Sequence, residues 1–144
     1  MIKYKIIKRI GKGSFGEVFE AENSVTKKLV ALKRVKKEEG SFKNEIKICN
    51  YLSNISGIYN LHWYGSDDIY KYVVFDKLGN SLQSYLNTYK SFMLPTVKLI
   101  GLQVIEIFKH LHSKKIVHRD VKLENLLMDI TNCKQVYLID YGLS

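Results

Sequence analysis

The chain has 144 residues, 46% hydrophobic and 26% charged, with 23 basic residues against 14 acidic ones for a net charge of +9. That balance fits an ordinary soluble globular protein with one modest core or two small lobes. No apolar run reaches the ~18 residues that span a bilayer, the N-terminus lacks the apolar core of a signal peptide, and Cys49 and Cys133 match neither a metal-ligand spacing nor a disulfide framework. An intracellular protein of the cytoplasm or nucleus, with no membrane partner, is the expectation.

The first part reads as strands. "YKIIKRI" (4–10) is apolar-rich with rough alternation, and "EVFEAE" (17–22) sets Val18 and Glu20 against Phe19 and Ala21. A polar turn over 23–28 leads into "LVALKRV" (29–35), which completes an antiparallel meander. Residues 41–53 carry helical spacing, with Phe42, Ile46, Cys49 and Ser53 on one stripe. Two further strands are expected near 59–65 and 70–76, joined by Ser66-Asp67-Asp68. "DKLGNS" (76–81) then breaks the pattern, as a linker between lobes does. A short helix follows over 81–89, and Pro95 suits the first turn of a longer helix to about His112. Its stripe is Val97, Ile100, Val104, Ile107/Phe108 and Leu111. The change from strand-rich to helix-rich near residue 78 gives an α+β arrangement.

"IGKGSFGEVF" holds Gly11, Gly13 and Gly16 in a G-x-G-x-x-G spacing. A dinucleotide-binding turn would open a helix after the third glycine, but a strand follows here. Lys12 precedes Gly13 rather than closing a Gly-Lys-Ser/Thr, so this is not a Walker loop. What remains is a glycine-rich hairpin whose amides can approach phosphate oxygens, with Phe15 at its tip to shield them from water. Such turns also occur without any ligand.

Ala31 and Lys33 share one face of their strand. Glu45 lies three residues after Phe42 and four before Cys49, on or beside the apolar stripe of its helix. A carboxylate there needs a cation, and Lys33 is the nearest by topology. Paired with Glu45, it would be held toward a phosphate. Otherwise Glu45 is a rim residue and Lys33 an ordinary surface lysine.

"HRDVKLEN" then supplies Asp120, Lys122 and Asn125 within six residues, and twenty residues past Asp120 "LIDYG" puts Asp140 at the end of an apolar run. Singly these read as a solvated loop and a strand ending in a turn. Together they are parts for phosphoryl transfer: Asp140 and Asn125 as oxygen ligands for Mg²⁺, Asp120 as acceptor of a hydroxyl proton, Lys122 as a cation for the moving phosphoryl group. Arg119 fits positioning of the loop better than chemistry.

"GKGSFGEV", "VALK", Glu45, "HRDVKLEN" and "DYG" occur in the order of the eukaryotic protein kinase family, which the chain resembles along essentially its whole length. Within that family "GIYNLHWYGSDDIYKYVVFDKLGNSL", "HSKKIVHRD" and "VYLIDYGLS" are similar to casein kinase I. The resemblance implies a protein kinase-like fold: an N-lobe of five antiparallel strands plus helix C over 1–77, then hinge, helices D and E, catalytic loop and the start of the DFG-equivalent segment over 78–144. It implies an ATP- and Mg²⁺-dependent serine/threonine kinase, with Lys122 two residues after Asp120 as the serine/threonine pattern. Ile10, Val18, Ala31 and Leu127 would sandwich adenine, with Phe75 as gatekeeper and Asp76 and Leu78 as hinge. Gly11, Gly13, Ser14, Phe15 and Gly16 would cover the phosphates and Lys33 would hold them. Asp120 would be the catalytic base, with Asn125 and Asp140 the metal ligands. A protein substrate with Ser or Thr, acidic in this subfamily, follows.

Tyr141 stands where the family has phenylalanine and adds a hydroxyl that needs a partner; Leu123 and Asn80 stand where the subfamily has proline. The chain ends at Ser144, before an activation segment, so the resemblance implies a truncated kinase domain with an exposed face on helix 95–112. A non-catalytic interaction module, working through that helix or the basic surface, is the alternative. Nucleic acid has only the net charge behind it, since the lysines are scattered and no aromatic residues interleave them in a recognisable module, so none is expected as a partner.

Overall fold

The computed structural model describes residues 3–13, 16–38 and 42–143. Five strands form one antiparallel sheet: β1 (Tyr4–Gly13), β2 (Gly16–Asn23), β3 (Leu29–Lys36), β4 (Leu61–Ser66) and β5 (Tyr70–Asp76), in the order β1-β2-β3-β5-β4. Helix α1 (Lys43–Tyr51) connects β3 to β4. After β5 come α2 (Leu82–Tyr89), α3 (Leu94–Ser113) and a two-stranded ribbon of β6 (Leu126–Met128) and β7 (Val136–Leu138). The class is α+β, with strands first and helices second.

The period-two alternation of each strand decides which side chains reach the interior. Phe19, Ala21, Val30, Leu32 and Val74 pack on the outer face of the sheet with Tyr4. Val35, Val73 and Phe75, at the alternate positions along β3 and β5, join the larger core with Phe42, Cys49, Ile107, Leu111, Leu138 and Tyr141. The inner face of β2 and β3 is left with Val18, Ala31 and Lys33, paired across strands as Val18↔Lys33.

Helix α1 is shorter than the sequence spacing suggests. Ser53 falls in the turn after the helix and is exposed, while Leu52 is fully buried in its place. The N–H of Leu52 closes on the carbonyl of Ile48, and Asn54 then takes φ 67, which ends the helical path. Strand β4 also begins two residues later than expected. The backbone N–H and side-chain amide of Asn60 both donate to Asp76 Oδ2 at 2.9 Å, so a side chain ties this point in place of a regular ladder.

Helix α2 is capped by Ser81, whose hydroxyl accepts from the N–H of Ser84 at 3.2 Å. Pro95 sits in the first turn of α3. Along α3, Ile107 and Leu111 are buried, Ile100, Val104 and Phe108 are half-buried, and Val97 is exposed. A second apolar line, Leu99, Leu102 and Ile105, is exposed as well. Among the described residues no helix is long and apolar enough to cross a membrane.

Gly57 carries φ +82, and a Cβ there would fall on the Ile107 side chain. Its carbonyl accepts from the N–H of Leu138 at 2.9 Å, so it joins α3, β7 and the approach to β4 at one point. Gly57→Ala is expected to lower the unfolding free energy by about 1–3 kcal/mol, combining strain at positive φ with overpacking. The check is a fall in urea midpoint at an unchanged slope.

Candidate functional site

A cleft of about 960 Å³ lies between the sheet and the helical part. Its roof is Ile10 and Gly11 of β1, Gly16 and Val18 of β2, and Ala31 and Lys33 of β3. Phe75, Asp76 and Leu78 line the back, and Leu127, Lys122, Asn125 and Asp140 line the floor. The roof hairpin closes through the pair Gly13↔Gly16. Gly16 takes φ +111, and a Cβ there would meet the Arg34 carbonyl, so only glycine lets β2 approach β3 this closely. Ser14 and Phe15, expected at the hairpin tip, lie outside the described residues.

Lys33 reaches inward from β3. Its ammonium donates to Glu45 Oε2 at 2.8 Å and Oε1 at 3.2 Å, and lies 3.5 Å from Asp140 Oδ1. Glu45 is 3% exposed and Lys33 9%. The paired reading of these two residues therefore holds, and the rim reading of Glu45 does not.

Lys122 and Asn125 of the floor come from the segment between α3 and β6, Leu127 from β6 and Asp140 from the residues after β7. Asp120 carboxylate accepts from Lys122 Nζ at 2.7 Å and from Asn125 Nδ2 at 3.0 Å. The Lys122 hydrogen bond holds the Asp120 carboxyl below the usual carboxylate range, and the same contact raises Lys122. Asp120 itself is set just behind the lining residues Lys122 and Asn125. Arg119, at φ 64, is exposed beside it.

Asn125 is buried, and its amide nitrogen donates both to Asp120 Oδ2 and to the Asp120 carbonyl at 2.9 Å. The amide oxygen is thereby turned away from Asp120. The carbonyl of Asn125 accepts from the N–H of Ile139 at 2.9 Å, which fixes the segment carrying Asp140 against the loop. Asp140 takes φ 68, an uncommon conformation for a non-glycine residue, and presents its carboxylate in the same cleft. Two oxygen donors without sulfur or imidazole are the donor set that suits Mg²⁺, which draws its remaining ligands from water and phosphate. Among the described residues no group of three or more His, Cys, Asp or Glu side chains could hold a metal by itself.

Sequence reasoning passed over His118. It is 1% exposed, with Nε2 2.9 Å from the Ile139 carbonyl and Nδ1 accepting from the N–H of Asp120. One imidazole therefore fastens the Asp120 loop to the Asp140 segment, in the tautomer with the proton on Nε2. The Tyr141 hydroxyl finds its partner in the Leu138 carbonyl at 3.2 Å. Of the hinge groups, the N–H of Asp76 donates to the Asn60 carbonyl and the carbonyl of Leu78 accepts from Lys77 Nζ at 2.9 Å. Burial would raise the Asp76 carboxyl, but His62 and Asn60 hold it below its ordinary value.

Five lysines (8, 12, 33, 77 and 122) face five carboxylates (Glu20, Glu45, Asp76, Glu124 and Asp140) in the lining. The net charge of +9 is thus not gathered in the cleft. For an anion, the cleft offers the fixed positions of Lys33 and Lys122 and not a general positive field. In comparison with known proteins, the family model described as protein kinase domain matches residues 4–144.

Proposed function

The chain belongs to the protein kinase domain family, and we propose that it is a casein kinase I-like serine/threonine kinase that transfers the γ-phosphoryl group of ATP to protein hydroxyls. The observation that carries this reading is convergence. Lys33, Asn125 and Asp140 face one cleft, and Asp120 is bonded to the Asn125 and Lys122 that line it. Ile10, Val18, Ala31 and Leu127 offer apolar faces on either side of a planar adenine, and Phe75 stands at the back. Lys33, fixed by Glu45, neutralises the α/β-phosphates. Asp120, kept ionised by Lys122, takes the proton of the attacking hydroxyl, and the Lys122 ammonium sits where negative charge develops on the phosphoryl oxygens. Asn125 and Asp140 would hold Mg²⁺, which supplies positive charge to the β- and γ-phosphate oxygens when bound. The serine/threonine assignment rests on Lys122 two residues after Asp120, and the preference for acidic proteins on the resemblance to casein kinase I. The free cysteines fit an intracellular setting.

MgATP is expected to raise the melting temperature of the chain, and Asp140→Asn to remove most of that rise while leaving the ligand-free melting temperature within a few degrees. Asp140 is partly exposed, so its loss disturbs little packing. An Asp140→Asn chain that responds to MgATP as the native one does would overturn the metal-ligand role. A native chain that responds to neither nucleotide nor Mg²⁺ would overturn the kinase reading.

The exposed line Leu99, Leu102 and Ile105 on α3 favours a second reading, a kinase-fold interaction module that assembles through that face. A monomeric mass in solution together with phosphate transfer to a casein-type acidic protein would dismiss it.

A further inference from the structure

Glu45 is a carboxylate with 3% exposure, and one lysine is not enough to satisfy it. Its second support is Tyr59. The Tyr59 hydroxyl donates to Glu45 Oε1 at 3.0 Å, while Lys33 takes Oε2 at 2.8 Å. Tyr59 stands just before β4 and is itself 4% exposed. Its ring is edge-on to Phe75 with centroids 4.6 Å apart, and stacked on Tyr141 at 5.8 Å. These contacts leave the hydroxyl little freedom to aim elsewhere. Burial, and next the Glu45 charge, push its pKa well above the ordinary tyrosine value, so it remains a donor. Cys49 beside it is likewise kept a neutral thiol, pushed up by burial to about 12.

Resting on the kinase reading of the cleft, we propose that Tyr59 is a positioning residue: its hydroxyl holds Glu45, and through Glu45 it holds the Lys33 ammonium where it meets a nucleotide phosphate. The alternative partner for Lys33 is already near, since Asp140 Oδ1 lies 3.5 Å away. With Tyr59 gone from Oε1, Glu45 has one support fewer and Lys33 settles toward Asp140. That move takes a cation from the phosphates and a ligand from the metal together. The adenine side of the cleft is untouched by it.

The test separates phosphate binding from adenine binding. Affinities for MgATP and for adenosine are measured by calorimetry on the native chain and on Tyr59→Phe, which keeps the ring and removes only the hydroxyl. Adenosine affinity should stay within about twofold, while the ratio of MgATP to adenosine affinity falls about five- to tenfold, the scale of one hydrogen bond to a charged group. In a Glu45→Gln background the same substitution should change the ratio by less than about twofold, because its route runs through Glu45. A purely structural role would weaken both ligands alike. If Tyr59→Phe does not hold its fold, Tyr59→Met fills the space without a donor and is read identically. An unchanged or increased ratio overturns the proposal while the kinase reading stands. A native chain that binds neither ligand overturns both.

Discussion

Asp120→Asn is expected to slow phosphate transfer from MgATP to a protein substrate by about 10²–10⁴-fold, the span that a positioned general base supplies. MgATP binding and the melting temperature should hardly change. The asparagine keeps an oxygen for Lys122 at the position where Asp120 accepts at 2.7 Å, and the exposed setting of the pair removes no packing. What is lost is the negative charge proposed to take the hydroxyl proton. Because Lys122 holds the Asp120 carboxyl below its ordinary value, the base is already ionised at neutral pH. The acid-side loss of rate should therefore fall below the usual aspartate pKa of about 4. The check is kcat together with the MgATP-induced shift in melting temperature. A variant with both intact would remove Asp120 from the chemistry, and one with both lost would make it a structural residue.

Much of the fold is written in short-range pattern. Val18 and Glu20 alternate with Phe19 and Ala21, and the structure puts the first pair toward the cleft and the second toward the outer core. Glu45 is legible for the same reason: its position on an apolar helix face makes a buried charge, and a buried charge demands a cation. What the sequence hides is set by contacts between distant segments. β6 and β7 have three residues each, too few for any period to declare itself, and they exist because they pair with one another beneath the cleft. Tyr59 reads as the start of a strand, yet it lies outside β4 and turns inward to Glu45. His118 reads as one more polar residue in a charged loop, and its use appears only when Ile139 is brought to its Nε2. Ser53 fits the stripe of α1 by number alone, because spacing does not reveal that the helix stops at Tyr51. The residues with chemistry in their type were visible. The residues that hold them were not, since holding is a property of the folded neighbourhood.

Lys33→Met should separate the architecture of the site from its function. Removing the ammonium leaves the Glu45 carboxylate buried with the Tyr59 hydroxyl as its remaining donor at 3.0 Å. Breaking one side of a buried pair costs about 3–5 kcal/mol, which for a chain of this size lowers the melting temperature by roughly 10–15 °C. The double variant Lys33→Met/Glu45→Met removes the orphaned charge and fills the space with two apolar side chains, beside Phe42 whose ring already faces Lys33. It should recover most of the lost stability, since replacing a buried ion pair by well-packed apolar residues is often neutral or favourable. Neither variant should respond to MgATP, because both lack the cation proposed to face the phosphates. Melting curves with and without MgATP on the native, single and double chains give the whole comparison. A double variant as stable as the native chain yet blind to nucleotide would mean that the ion pair is retained for phosphate binding and not for folding. If the double variant still binds MgATP as tightly as the native chain, Lys33 is a structural lysine, and the cleft must recognise phosphate through its glycine-rich roof.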